Sequence, residues 1–252
     1  MEAIIRQAAS EIARARNVIA LTGAGISVES GIPPFRGKGG LWEKIDPMEV
    51  AHIDSFLEDP AKVWRLLIQD MGHLLVSAQP NDGHHGLVAL EKQGRLSAII
   101  TQNVDGLHQS AGSSKVVEFH GTFATVSCLQ CQAKQPIKNC LMVDLPPRCD
   151  CGGILRPDCV FFGEMIPVNA FHAAQVAVAT CDVMLVVGTS ATVQPAAQMP
   201  VMAKQNGAVI IEINPTSTPL SRSISDYTIK GPAGDSMRQL TTAVNEMRSD
   251  AS

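Results

Sequence analysis

The sequence predicts an α/β protein: a doubly wound parallel sheet with a smaller zinc-binding and helical domain inserted into it. Three observations predict it. Short apolar runs at Val18–Leu21, Leu96–Ile100, Val183–Val187 and Ala208–Ile213 each lead into a glycine-rich or polar segment, as strands of such a sheet do at their carboxyl ends. Residues 41–78 change to helical spacing of apolar and aromatic side chains. Four cysteines stand as two close pairs between residues 128 and 151, the pattern of a structural zinc site.

Composition narrows the class. The 252 residues are 45% hydrophobic and 17% charged, which fits a globular enzyme and excludes a disordered chain. The net charge of −4 comes without any run of lysines or arginines, so no direct nucleic-acid partner and no anionic membrane surface is expected. Residues 2–16 have the spacing of an amphipathic helix and lack the long apolar core of a signal peptide. No stretch is apolar for the length of a membrane span. Seven cysteines cannot all pair, and with four grouped as ligands the expected compartment is cytoplasmic.

In chain order, the first strand turns on Gly23 and Gly25, whose missing side chains would let a diphosphate approach backbone amides at the start of a helix. The place where a dinucleotide fingerprint wants a third glycine holds Val28, and Glu43 and Asp46 lie off any apolar strand. NAD bound here would be held differently from the way a dehydrogenase holds it. Gly31-Ile-Pro-Pro34 stops the helix, and a mobile loop with Phe35 and Arg36 is expected after it. In the helical stretch Phe56 and Trp64 are expected to pack, with a break at Glu58-Asp59-Pro60. The next helix begins after Pro80, with His84 and His85 as capping or surface groups, and closes at Gln93-Gly94-Arg95.

Strand Leu96–Ile100 delivers Gln102, Asn103 and Asp105 to the ligand side of the sheet; a polar turn with a helix cap at Asn103 or Asp105 is the alternative. Strand Lys115–Phe119 ends at His120-Gly121, a candidate base because histidine titrates near neutral pH. Cys128 and Cys131 are separated by two residues and Cys149 and Cys151 by one, with seventeen between the pairs. Four thiolates close a tetrahedral shell around Zn²⁺ and make it structural. A turn at Gly152-Gly153 can bring the shorter pair to one ion. Cys140, Cys159 and Cys181 are expected as small core or near-surface residues. A helix over 169–180 leads to Val183–Val187 and Gly188-Thr189-Ser190, and Ala208–Ile213 leads to Asn214-Pro215. Only the last few residues have the character of a tail.

Taken together, Gly-Ala-Gly-Ile-Ser27, Thr101–His108, His120-Gly121, the four cysteines, Val160–Glu164, Gly188–Ser190 and Ile213-Asn214 resemble the sirtuin family of NAD-dependent protein-lysine deacylases, of prokaryotic type, over nearly the whole chain. The resemblance implies a Rossmann-like large part at 1–40, 79–122 and 165–245, and a small part made of a helical module, 41–78, and a zinc module, 123–164. It implies NAD as co-substrate, acyl-lysine proteins or peptides as substrates, one structural Zn²⁺, and nicotinamide and O-acyl-ADP-ribose as products. His120 would deprotonate a ribose hydroxyl, Asn103 would orient the ribose, Asp105 the nicotinamide amide, and Gln102 would contact ribose hydroxyls. Ala24, Gly25 and Arg36 would hold the diphosphate side, and Phe35 would shield the reacting centre. Gly188, Thr189, Ser190 and Asn214 would hold the adenosine half, and Gly23, Ser27, Trp42, Val104 and Ala233 complete the implied cofactor set. Val160, Phe161, Phe162 and Gly163 would pair with the substrate backbone as an added strand. Mono-ADP-ribosyl transfer and an NAD-sensing zinc interaction module stand as the alternatives.

Three departures from the family pattern stand out. Pro34 replaces the usual Asp of the cofactor loop, the second cysteine pair is one residue short, and Leu67 and Asp70 occupy the places where desuccinylating members carry Tyr and Arg. An acidic acyl tail loses hydration on entering the pocket and needs a cation there. Neutral acyl groups are therefore expected to be cleaved much better than succinyl or malonyl ones. A kcat/KM panel of acetyl, butyryl, myristoyl and succinyl versions of one peptide checks this; equal succinyl and acetyl activity would contradict it, and no succinyl gain in Leu67→Tyr/Asp70→Arg would show that these two residues do not mark the acyl pocket.

Overall fold

The computed structural model describes residues 1–34, 40, 46–68, 72–140 and 144–249. Phe35, Arg36, Trp42 and Asp70, the loop expected after Pro34 and the last three residues lie outside that set. Six strands form one parallel sheet: β1 (Val18–Thr22), β2 (Leu96–Thr101), β3 (Val116–Glu118), β7 (Val183–Val187), β8 (Val209–Ile213) and β9 (Tyr227–Ile229). Their order, β3-β2-β1-β7-β8-β9, reverses direction between β1 and β7. That reversal opens a crevice at the strands' carboxyl ends.

The apolar runs are continuous because both faces of the sheet are covered. Alternate β1 residues go to opposite layers. Val18 and Ala20 join a core with α1 (Glu2–Arg14), α6 (Asp82–Lys92) and α10 (Ala233–Ser249), through Ile5, Ile12, Leu87, Leu90, Met237 and Leu240. Ile19 and Leu21 join a second core, with Ala174 and Val178 of α8 (Val168–Thr180) and Met199 and Ala203 of α9 (Met199–Gln205). The break at Glu58-Asp59-Pro60 falls where expected. The Asp59 side chain accepts the Lys62 amide at 2.9 Å and Pro60 opens the following helix, a position where its missing N–H costs nothing.

The inserted unit has a third core of its own. Short helices α2 (Pro47–Val50), α3 (Ile53–Glu58), α4 (Pro60–Leu67) and α5 (His73–Ser77) precede α6, and α7 (Leu107–Ala111) follows β2. An antiparallel sheet, ordered β5-β4-β6, comprises β4 (Gly121–Cys128), β5 (Lys134–Pro136) and β6 (Leu155–Cys159). Phe56, Val63 and Trp64 from the helices pack with Val126, Cys128, Leu155 and Phe161 from the sheet side. The expected packing role of Phe56 and Trp64 is met here. Trp64 is 1% exposed, and its Nε1 donates to the Leu155 carbonyl at 2.8 Å. A buried indole needs such a partner.

Trp64→Phe is expected to remove this bond while keeping most of the aromatic volume, at a cost of about 1–3 kcal/mol. Thermal melting checks it, through a Tm lowered by several degrees; an unchanged Tm would show that the bond contributes nothing to joining helices and sheet.

Candidate active site

The loops after β1 and β7 touch backbone to backbone. A Cβ on Gly25 would lie 2.6 Å from the Gly188 carbonyl oxygen, and one on Gly188, at φ +61°, would lie 2.3 Å from the Ile26 nitrogen. The Gly25 amide donates to the Gly188 carbonyl at 2.7 Å and the Gly23 amide to Val187 at 3.1 Å. These glycines thus let two backbone segments meet, and their own amides are already paired within the protein. The segment after them, Ala24–Ser30, is a 3-10 helix and not the start of an α-helix, closed by Gly31 at φ +89°.

A polar network grows from this contact. Gln102 Nε2 donates to Thr189 Oγ1 at 2.9 Å, and Asn214 Nδ2 to the Thr189 carbonyl at 2.9 Å. Asn103 Nδ2 donates to the Gly23 carbonyl and to Ser27 Oγ, both at 3.2 Å. Ser27 Oγ in turn donates to Asp105 Oδ2 at 2.7 Å. Asn103 is 5% exposed, and its Oδ1 has no hydrogen-bond partner among the described residues. An orphaned buried acceptor at a cleft is a place for a ligand donor. Asp105 also caps α7, its Oδ1 accepting the Leu107 amide at 2.9 Å, so the capping alternative is physically present alongside any ligand role. Burial raises its pKa, while the Leu107 amide and the Ser27 hydroxyl pull the other way.

His120 lies just past β3, its Nδ1 3.1 Å from the Gln102 carbonyl. A carbonyl only accepts, so Nδ1 carries the proton and Nε2 is left with its lone pair. Burial lowers the pKa of this imidazole, against a smaller opposing pull from the Gln102 carbonyl. Near Gly23, the Thr22 hydroxyl meets His108 Nε2 at 2.9 Å, and His108 packs against His84 with ring centroids 5.0 Å apart. Burial brings these two down to about 3 and about 4, so both are neutral near pH 7. His84 Nδ1 accepts the Asn81 amide at the start of α6 and His85 is exposed, the capping and surface roles expected of them.

A cleft of about 900 Å³ gathers Gly23, Ala24, Gly25, Gln102, Asn103, Val104, His120, Gly188, Thr189, Ser190, Asn214 and Ala233, together with Val160, Phe161, Phe162, Gly163 and Leu67. Pro34, the departure in the cofactor loop, lines it as well. Ser27 and Asp105 stand behind the lining, linked to it through Asn103. Two stretches of the wall have no counterpart among the expected site residues: Thr192–Pro195, which continues the loop after β7, and Thr216–Pro219, which continues the loop after β8. Their one sequence signal is position, since both follow a strand's carboxyl end.

The four cysteine sulfurs of Cys128, Cys131, Cys149 and Cys151 lie within 4.8 Å of one another, and none is in a disulfide. Cys128 Sγ is 3.6 Å from Cys151 Sγ, and Cys131 Sγ 3.7 Å from Cys149 Sγ. A tetrahedron with Zn–S bonds of about 2.3 Å has edges of about 3.8 Å, so the set fits one zinc ion. The short pair is accommodated by a turn in which Gly152 takes φ +86° and Gly153 passes so close that a Cβ would meet Cys128 Sγ at 2.6 Å. Cys159 and Cys181 are buried and Cys140 half-buried, as expected for cysteines outside the metal set.

A nucleotide-sized cleft at the switch point of a doubly wound sheet, holding a half-buried histidine of lowered pKa, defines an enzyme of the dinucleotide-dependent α/β class. The Sir2 family profile matches residues 23–195. Over 236 residues, 93% of this chain and 96% of the relative, the sequence is 45% identical to an NAD-dependent protein deacylase of Archaeoglobus fulgidus. The fold superposes with a TM-score of 0.89 on a crystal structure of a Sir2 homologue in complex with NAD, 44% identical, covering 96% of this chain and 94% of that one. It superposes at 0.83 on a Sir2 protein bound to a myristoylated histone peptide, 33% identical, covering 99% and 100%. The chain belongs to the Sir2 family.

Metal analysis is expected to find one zinc per chain. Cys128→Ser and Cys149→Ser should each lose it and lower Tm, because metal binding here is part of folding free energy. Absence of zinc, or a disulfide within the set in the native protein, would contradict the assignment.

Proposed function

We propose that this protein is an NAD-dependent protein-lysine deacylase, moving the acyl group of an acyl-lysine peptide onto ADP-ribose with release of nicotinamide. The observation that carries it is His120: a half-buried imidazole at the cleft with Nδ1 committed to the Gln102 carbonyl and Nε2 available as a base. When bound, NAD supplies a reactive ribose carbon with nicotinamide as leaving group, and O-acyl-ADP-ribose is the product. The orphaned Asn103 Oδ1 is matched to a ribose hydroxyl, and Asp105, fixed by Ser27 and the Leu107 amide, to the carboxamide of nicotinamide. His120 Nε2 takes the proton of a ribose hydroxyl.

Gln102 is assigned to the ribose hydroxyls, Ala24 and Gly25 to the diphosphate side, Gly188, Thr189, Ser190 and Asn214 to the adenosine half, and Gly23, Ser27, Val104 and Ala233 to the rest of the cofactor set. Phe35, Arg36 and Trp42 keep their proposed cofactor roles from the family resemblance. The acyl chain is directed to Leu67, an apolar part of the cleft wall, with Asp70 nearby in sequence. Segment 160–163 is assigned to the peptide. One side of it is already paired, Phe162 donating to the Ala51 carbonyl at 2.7 Å and accepting from the Ile53 amide at 3.0 Å. The Gly163 amide has no partner among the described residues, which suits addition of a substrate strand.

The division of labour places the cofactor on the large part, 1–40, 79–122 and 165–245, and the zinc and helical modules, 123–164 and 41–78, in the small part. The third core, shared by the two modules, supports it. Cytoplasmic location follows the cysteine pattern, and the lack of nucleic-acid or membrane partners the charge pattern; no helix among the described residues is long and apolar enough to cross a membrane.

His120→Ala is expected to reduce acyl-lysine turnover by at least about 10²-fold while leaving NAD and peptide binding largely intact. Because burial lowers the imidazole pKa, the neutral base persists below the ordinary histidine value of about 6.5. The acidic limb of the kcat/KM profile assigned to His120 should therefore lie below that value, with activity falling as pH drops through it. Near-parental turnover in the variant would remove this residue from the proton transfer, and a His120-dependent limb above pH 7 would contradict the lowered pKa.

A further inference from the structure

Arg156, on strand β6, grips the turn assigned to the peptide. Its Nη1 and Nη2 reach the two carboxylate oxygens of Glu164 at 2.5 and 2.8 Å. Nη2 also donates to the Cys159 carbonyl at 2.9 Å and Nε to the Pro157 carbonyl at 3.2 Å, and the guanidinium carbon lies 5.1 Å from the Phe161 ring centroid. Glu164 passes the constraint on. Its Oε2 accepts the Phe161 amide at 2.9 Å, and its own amide donates to the Phe161 carbonyl at 3.1 Å. Phe161–Glu164 is thereby a closed reverse turn whose third residue, Gly163, takes φ +88°, the conformation that favours glycine there.

Several features make this more than a surface ion pair. The side chains are only 18% and 23% exposed, and a planar fork matched to a carboxylate fixes direction as well as distance. Burial pushes the Glu164 carboxyl up, yet the Arg156 fork and the Phe161 amide outweigh it and hold the group below the usual range. On the turn's other flank, a Cβ at Gly163 would lie 2.9 Å from the His52 ring. The turn that carries the Gly163 amide is thus flanked by Glu164 on one side and His52 on the other. Arg156 itself does not line the cleft.

We propose that Arg156 is a positioning residue for peptide recognition: through Glu164 it presets the 161–164 turn so that the Gly163 amide is aimed at an added substrate strand. It sets KM for flanked peptides and leaves NAD cleavage and acyl transfer to the groups already described. The inference rests on the deacylase reading above and deepens it.

The test compares two substrates, an acetyl-lysine peptide with residues on both sides and a single acetyl-lysine blocked at both ends, which is too short to add a strand. In Arg156→Gln, KM for the peptide should rise about tenfold or more, while KM for NAD and kcat/KM for the blocked acetyl-lysine stay within about twofold. Arg156→Lys keeps the charge without the fork and should not restore the peptide preference. Glu164→Gln, which keeps an oxygen for the Phe161 amide, serves as the second variant if Arg156→Gln does not fold, as judged by zinc content and Tm. Equal losses on both substrates, an unchanged peptide KM in folded variants, or full rescue by lysine would overturn the proposal. Failure of the deacylase reading itself would show differently, as no nicotinamide release by the parent protein on either substrate.

Discussion

The contact on which the site depends is the meeting of two backbones at the switch point. Gly25 and Gly188 approach so closely that neither position has room for a Cβ, and the Gly25 amide closes the contact on the Gly188 carbonyl. A side chain at either place would have to push the β1 and β7 loops apart. The polar network would move with them, since Gln102 reaches across to Thr189, Asn214 reaches back to the Thr189 carbonyl, and Asn103 hangs from the Gly23 carbonyl. The cleft is therefore as well defined as this one crossing. Sheet order puts the two loops side by side, and glycine allows them to touch.

Much of this was legible because the signals are local. An apolar run followed by Gly-Thr-Ser or Gln-Asn-Val-Asp states a strand and its ligand end in consecutive residues, and the order of six parallel strands agrees with that pattern. Four cysteines likewise announce themselves by spacing, and their sulfurs converge. What stayed hidden depends on pairing distant segments. The small antiparallel sheet joins Gly121–Cys128 to Leu155–Cys159 across more than two dozen residues, and nothing in β6, with Arg, Pro and Asp at its centre, reads as an apolar strand. The Arg156–Glu164 fork spans only eight residues, but nothing in the sequence shows that the chain turns back between them, and the wall at Thr192–Pro195 has no signal beyond its place after β7. In the sequence Gly25 reads as room for an anion, and the contact it also makes, with another glycine 163 positions away, has no local signal.

The metal set and the helical stretch are one mechanical unit. Cys128 is both a zinc ligand by position and a member of the core that holds Phe56 and Trp64. Its partner across the sheet is Leu155, whose carbonyl takes the Trp64 indole. Arg156 is the next residue. An ion that fixes Cys128 thus acts on β6 through one strand pairing, and β6 leads directly into the 161–164 turn. Short helices of four to eight residues are too brief to be stable alone, so their order derives from this shared core and, through it, from the thiolate shell.

The polar groups at the cleft are balanced between burial and use. His120 loses basicity to desolvation, which would weaken it as a base. The same burial favours the neutral imidazole, and the Gln102 carbonyl fixes which nitrogen carries the proton. Asp105 faces the opposite problem: burial disfavours its charge, and the Leu107 amide and Ser27 hydroxyl offset part of that cost. The hydroxyl of Ser27 donates to Asp105 and accepts from Asn103, so the carboxylate and the amide are oriented by one atom between them. That leaves Asn103 Oδ1 as the atom of this network with nothing to bind inside the protein among the described residues. A ligand hydroxyl placed there completes a network whose every other member is already fixed, and it meets a site that needs little reorganisation to receive it.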